Sequence, residues 1–196
     1  MKLVLASGSP RRRQLLGELG WNFIVEPSAL KESRVPGESP ENMVCRLAET
    51  KAADVFSRHR DAFVIGADTV VAIDGRALGK PADVDEAVQM IEMLQGRVHT
   101  VMTGVAVLAP DGRKLLSCEK TDVTFRKLSH EEAIAYVAQG ESLDKAGAYA
   151  IQEKGTLLVE SIRGCYFNVV GLPLEALSKM LAELGWTLAE QWRVNR

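Results

Sequence analysis

The chain has 196 residues, with 24 Lys and Arg against 26 Asp and Glu, for a formal charge of −2. At 46% hydrophobic and 26% charged residues it has the composition of an ordinary soluble globular protein, long enough to bury a real core. Its near-neutral balance argues against long nucleic acid or an anionic membrane as partner, since both select a basic surface. From the N-terminus, Lys2–Ala6 reads as a buried strand that runs straight into Ser-Gly-Ser-Pro-Arg-Arg-Arg, so it is no secretory signal. Ser9-Pro10 then opens a helix with Leu15, Leu16 and Leu19 on one stripe and Gly20 as its stop. Ser39-Pro40 repeats the device, and Val44, Leu47, Ala48 and Val55 mark the apolar face of a helix running to about Ser57. Phe63–Ala67 is a further buried strand, followed by Val70–Ile73 and an Asp74-Gly75 hairpin turn.

Asp83 and Glu86 form a capping pair for a helix carrying Val84, Val88, Ile91 and Leu94, closed by Gly96. Val98–Ala109 and Lys114–Phe125 alternate around Pro110-Asp111-Gly112 and predict a long antiparallel hairpin. Val98–Pro110 is also the longest nearly uncharged stretch, and it falls short of the roughly 18 apolar residues of a spanning helix. Ser129 with Glu132 caps another helix, stopped by Gly140. Thr156–Ile162 and Tyr166–Val170 read as short strands, Pro173 starts a last helix with Leu174, Leu177, Leu181 and Leu184, and residues 187–196 form a C-terminal tail. No repeat or linker divides the chain, so one domain is expected, a three-layer α/β fold around a mixed sheet. The three cysteines, Cys45, Cys118 and Cys165, form no CxxC pair, and the three histidines lack metal-ligand spacing. Both facts suit a reducing cytoplasm and set aside a disulfide scaffold or structural zinc.

Four features could carry chemistry. Ser7-Gly8-Ser9-Pro10-Arg11-Arg12-Arg13 lies where a buried strand hands over to a helix N-terminus. Backbone N–H groups, hydroxyls and guanidinium forks there suit phosphate, although the segment is not a P-loop and also reads as an N-cap with a solvated basic face. Asp68, ending the apolar run of Phe63–Ala67, is expected at the lip of the sheet, where it could hold Mg²⁺, take a proton from water or simply accept backbone hydrogen bonds in a turn. Lys51, near the apolar border of its helix, and Lys80, in the turn Leu78-Gly79-Lys80-Pro81, are each most often surface residues, as is Glu32 in its loop. The small residues of Asp144–Gln152 would let a backbone pass close to a ligand, and the Gln152 amide can both donate and accept toward a base edge.

Taken together these pieces resemble the Maf family of nucleoside triphosphate pyrophosphatases. The resemblance is carried by Leu5–Arg12, Leu47–Ala52, Gly66-Ala67-Asp68-Thr69-Val70, Gly79-Lys80-Pro81, Asp144–Gln152 and Val170-Gly171-Leu172-Pro173, in order and in spacing, over nearly the whole chain. It implies a Maf/inosine-triphosphatase-like fold with a cleft between two lobes, a homodimer, and hydrolysis of a nucleoside triphosphate to monophosphate and pyrophosphate with Mg²⁺ or Mn²⁺. By the same resemblance Asp68 is the catalytic acidic residue, and Ser7, Ser9, Arg11, Arg12, Lys51 and Lys80 lie on the phosphate side. Asp68 and Glu32 are the metal candidates, Glu32 standing alone beside Lys31 where the family often has an acidic pair. Thr69 and Gln152 match the subgroup acting on dTTP and UTP. A sister subgroup resembling 7-methyl-GTP pyrophosphatases, and a nucleotide-binding regulator of cell division without turnover, are the alternatives. The family's Gly-Ile-Gln-Gly is Ala150-Ile151-Gln152-Glu153 in this chain, which bears on the loop beside the base.

Overall fold

The computed structural model describes residues 1–30, 33 and 35–193. Its frame is a mixed sheet built on three long strands: β3 (Phe63–Ile73), β5 (Val98–Leu108) and β6 (Lys114–Phe125). Short β1 (Leu3–Leu5) pairs parallel with β3 and with β2 (Ile24–Val25), giving the order β2-β1-β3-β5-β6-β7, in which β7 (Val159–Arg163) closes the far edge. All pairs from β3 onward are antiparallel, including β4 (Arg76–Leu78), which folds back on β3 through the expected Asp74-Gly75 turn. The expected mixed-sheet α/β architecture is the one observed.

Helices cover both faces. On one face lies α2 (Pro40–Phe56), opened by Ser39, whose hydroxyl accepts from Asn42 N at 3.2 Å. Val44, Leu47, Ala48 and Val55 are buried as the spacing predicts, and Val4, Ala6, Val64 and Ala106 meet α2 from the sheet. On the other face, α1 (Pro10–Glu18) and α6 (Leu174–Glu183) cover the β1 end of the sheet. There α3 (Val84–Leu94) and α4 (His130–Val137) cover the far end, around Val71, Ile73, Val101, Val123 and Phe125. Ser129 and Glu132 close the predicted capping box. Among the described residues no helix is long and apolar enough to cross a membrane.

Two glycines set the distance between α2 and the sheet. A Cβ on Gly66 would lie 2.1 Å from Ala48 O, and one on Gly104 would lie 2.3 Å from Val44 O. Backbone on backbone at that range admits no side chain, so the helix is seated by the absence of two methyl groups.

Several expectations are corrected. Tyr166–Val170 is a helix, α5, because the β6–β7 ladder ends at Arg163, Gly164 turns the chain at φ +131°, and Asn168 points inward to donate to Val101 O and Thr121 Oγ1. Aromatic and β-branched composition loses there to tertiary hydrogen bonding. The strand expected from Thr156 begins only at Val159, after a tight 3₁₀ turn over Glu153–Leu158. Leu19 and Val84 are exposed, so the buried stripe of α3 runs through Ala87, Met90, Ile91 and Leu94 instead. Within the tail, Leu188–Gln191 forms a short α7, anchored by Gln191 to Ser178 O and Trp186 O, while residues 194–196 lie outside the described residues.

Candidate active site

Asp68 is not at the end of a strand. It is in the middle of β3, paired with Gly104, and the two segments expected on either side of it are one continuous strand. What opens that strand is its other edge. β1 pairs with residues 63–65 and β4 with residues 71–73, so Gly66–Val70 have a β5 partner on one side and no strand on the other. This gap is a notch in the sheet, and Asp68 stands at its centre. The Ser7–Pro10 turn enters from the end of β1, and the Gly79-Lys80-Pro81 turn enters from the end of β4.

Successive strand residues face opposite ways, so Asp68 and Thr69 reach the notch from opposite faces of the sheet. On the α2 face, Lys51 Nζ donates to Asp68 Oδ1 at 2.6 Å, with side chains only 17% and 13% exposed. A lysine and a carboxylate both far from bulk water are held firmly, and loss of either charge leaves the other poorly solvated. Arg46, one turn and a half before Lys51, makes a two-toothed ion pair with Glu38 and donates to Ser33 O, tying the start of α2 to the loop ahead of it. Glu32, proposed as a metal ligand from the sequence, lies outside the described residues.

On the opposite face the organising group is Arg12. Its guanidinium is buried and donates to Gly171 O (2.7 Å), Ser7 Oγ (3.1 Å), Ala67 O (2.9 Å) and Thr69 Oγ1 (2.9 Å). The bond to Ala67 O satisfies a carbonyl on the strandless edge, so Arg12 substitutes for the missing β-partner. Thr69 passes the network on to Thr103, and Thr103 donates to Asn168 O. Arg12 is thus a bolt joining α1, β3 and the Gly171 turn. Three arginines in the first turn of a helix oppose its dipole; Arg12 is explained by this burial and Arg13 by exposure. Arg11 is half-buried, which lowers its pKa, and Asp144, Glu153, Tyr136 and Glu141 pull the other way. It faces the acidic side of the Glu141–Glu153 segment.

Ser9 takes the N-cap position of α1 with no capping bond from its own side chain. Ser7 Oγ instead accepts from Ser9 N at 3.3 Å, within a turn whose Gly8 has no Cβ. Lys80 is exposed and makes no ion pair among the described residues. Its turn is stapled to the Gln152 segment by Gly147 N, which donates to Gly79 O at 3.0 Å. Gly147 (φ +67°), Ala148 (φ +62°) and Glu153 (φ +55°) are all left-handed, so Gln152 rides on a segment bent by two non-glycine residues in a costly conformation. The Gln152 side chain makes no capping bond to the turn it starts.

The structure therefore brings Ser7, Arg12 and Thr69 into one network and Lys51 to Asp68, and it hangs Lys80 and Gln152 on one stapled unit. Thr103, Asn168 and Gly171 complete the Arg12 network and were not singled out as polar partners. An Asn within an apolar run, Phe167-Asn168-Val169-Val170, was the available signal. Among the described residues no three His, Cys, Asp or Glu side chains form a group able to hold a metal ion. A single carboxylate in the notch fits a cation that takes most of its ligands from phosphate and water, as Mg²⁺ does, and does not fit a closed protein cage.

A family model described as Maf-like protein matches residues 2–184. Among curated relatives, the protein from Moorella thermoacetica is 52% identical over 185 residues, covering 94% of this chain and 95% of its own length. One from Pelotomaculum thermopropionicum is 48% identical over 188 residues, covering 95% and 98%. One from Thermococcus gammatolerans is 50% identical over 184 residues, covering 94% and 97%. All three bear the name dTTP/UTP pyrophosphatase. Among solved structures, the Staphylococcus aureus Ham1 protein superposes with a TM-score of 0.51 at 15% identity, covering 94% of this chain and 100% of that one. A HAM1 protein from Coxiella burnetii gives 0.51 at 15%, covering 93% and 99%, a likeness of fold.

Proposed function

This chain belongs to the Maf-like protein family, and from that premise we propose that it hydrolyses dTTP and UTP to the nucleoside monophosphate and pyrophosphate. The observation that carries the reading is the Lys51–Asp68 pair at 2.6 Å, set in a notch flanked by the Ser7–Pro10 turn and the Lys80 turn. A buried carboxylate oriented by an ammonium, at the stretch of β3 left open between β1 and β4, is the arrangement hydrolysis needs and binding alone does not.

In this reading the Ser9 hydroxyl, the backbone N–H groups at the start of α1 and the Arg11 guanidinium receive the β and γ phosphates. Lys80 adds positive charge from the opposite bank. Arg12 and Ser7, bonded to one another, hold the turn and the edge of β3 in place. Asp68, kept in position by Lys51 Nζ, takes the proton of the water that attacks the α-phosphorus, and pyrophosphate departs into the cradle at α1. Asp68, together with Glu32 as the family resemblance implies, would hold a divalent cation, Mg²⁺ or Mn²⁺, which would neutralise phosphate charge and make a bound water more acidic. Gln152 and Thr69 face the base. The names of the relatives support dTTP and UTP over 7-methyl-GTP, and the retention of Asp68, Lys51 and Lys80 supports an enzyme over a regulator without turnover. The absence of a paired-cysteine motif supports a cytoplasmic setting, and the family resemblance supports a homodimer.

The test is direct. The protein is incubated with dTTP, UTP, ATP, GTP and 7-methyl-GTP in Mn²⁺ or Mg²⁺, and both pyrophosphate and orthophosphate are assayed. Pyrophosphate from dTTP and UTP is expected. Orthophosphate as the primary product would overturn the cleavage site, and no product from any triphosphate would favour the regulator.

A further inference from the structure

Cys45 and Cys118 are distant in sequence and close in the fold, each lying beside Gly104. Along one edge of α2, Glu41, Cys45 and Glu49 recur at intervals of four and stack one above another. Along β6, Lys114, Cys118 and Lys120 lie four and two residues apart, both even intervals, and so share one face of the sheet. The two rows meet. Lys120 Nζ donates to Glu41 Oε2 at 2.6 Å, and Lys114 pairs with Glu49. Between these ion pairs Cys45 on α2 lies opposite Cys118 on β6.

The close approach has an identifiable cause. Cys118 pairs across the ladder with Gly104, and Gly104 pairs with Asp68, so the three form one cross-strand row on the α2 face. A Cβ on Gly104 would lie 2.8 Å from Cys45 N. With no Cβ present, α2 rests its backbone on β5 and lowers Cys45 to the level of its neighbour on β6. Both thiols are half-buried and free, within reach of a small oxidant.

We propose that Cys45 and Cys118 form a modification site, a dithiol that a low-molecular-weight disulfide oxidises to an intramolecular bridge fastening α2 to β6. One protein thiol loses its proton and attacks a sulfur of the oxidant; the S–S bond of the oxidant breaks, and one thiolate leaves and takes up a proton. The second protein thiol then loses its proton, attacks the protein sulfur of the mixed disulfide and expels the other half as a second thiol. Two protein thiols are oxidised by two electrons, and one disulfide is reduced to two thiols. Burial raises both thiol pKa values above the ordinary cysteine range, so either sulfur can make the first attack and the other resolves the mixed disulfide. Below those values the thiolate fraction sets the rate, which should climb about tenfold per pH unit between neutrality and pH 8.5.

The experiment uses oxidised glutathione on the full chain and on Cys45→Ser, Cys118→Ser and Cys165→Ser, and it reads mass and melting temperature, neither of which depends on nucleotide hydrolysis. The wild type should lose about 2 Da, yield a proteolytic fragment joining Cys45 to Cys118, and melt several degrees higher, all reversed by dithiothreitol. Cys165→Ser should behave likewise, and the other two variants should take up glutathione without forming the bridge. If the wild type gives only stable mixed disulfides, a bridge that includes Cys165, or a bond between two chains, the proposal fails. The fragment map of the wild type decides the matter even where a serine variant folds poorly.

Discussion

Acidification should unfold this protein partly through a single histidine. His99 is 2% exposed on β5, its Nε2 lies 2.7 Å from Tyr149 Oη, and its ring meets Phe125 and Tyr149 edge-on at 4.8 and 5.3 Å. Its Nδ1 is buried with no partner among the described residues, so a second N–H would have nothing to bond. Burial lowers its pKa from 6.5 to about 4, against a smaller opposing pull from Asp122. The folded state therefore holds a neutral imidazole while the unfolded chain binds a proton below 6.5. Between those two values the unfolded state carries more protons, so stability is complete above about pH 6.5 and falls as pH drops toward 4. At about 1.36 kcal/mol per unit the loss reaches at most about 3 kcal/mol. Urea unfolding of the wild type and His99→Gln at intervals from pH 7 to pH 4 isolates it, because the surface carboxylates contribute equally to both. The gap between the two proteins should close by about 3 kcal/mol across that range. Parallel curves would show that His99 is not a buried neutral base and would refute the reasoning.

Further outcomes are expected. Asp68→Asn should fold with reduced stability, since its amide oxygen can still accept from Lys51 Nζ but no longer neutralises that charge, and should lose about 100-fold or more in kcat for dTTP; activity within about threefold of wild type would remove Asp68 from the chemistry. Gly104→Ala places a Cβ 2.3 Å from a backbone oxygen that no rotamer can move, so α2 must lift and stability should drop by about 3 kcal/mol or more; an unchanged melting temperature would contradict the seating of α2. Glu153→Gly, which restores the residue the family pattern has there, should relieve the left-handed backbone and gain about 0.5–1 kcal/mol in urea unfolding. Gln152→Ala should narrow the preference of kcat/KM for dTTP and UTP over ATP and GTP, at about 1–3 kcal/mol for each polar group left unpaired; equal loss on all four triphosphates would mean that Gln152 does not read the base.

Much of this was legible in one dimension. Helix starts at Ser39 and Ser129, the Asp74-Gly75 turn and the long β5–β6 hairpin follow from local capping, turn chemistry and period, all of which act within a few residues. The order of motifs was enough to point to the family that the comparisons confirm. Burial was harder. Leu19 and Val84 fit apolar stripes and are exposed, because a stripe says which residues share a helix face and not how far the neighbouring elements extend to cover it. Tyr166–Val170 had strand composition and folded as a helix, because the Asn168 side chain found Val101 O and Thr121 Oγ1 far away in sequence.

The site divides along the same line. Sequence alone determined which groups were available: a hydroxyl- and arginine-rich turn after a buried strand, a carboxylate inside an apolar run, and two lysines each of which had an ordinary surface explanation. It could not say that Lys51 reaches Asp68, because that contact depends on α2 resting on Gly66 and Gly104, and the glycines matter only through the helix backbone above them. Nor could it separate Arg11 from Arg12, adjacent and chemically identical, of which one faces the acidic Glu141–Glu153 segment and the other supplies the missing partner of a strand edge. Asp68 was sought at the end of a strand and stands in the middle of one, because the opening is made by β1 stopping and β4 starting on the far side of β3. A gap between two neighbours is a property of where three strands lie together, and no window along one of them contains it.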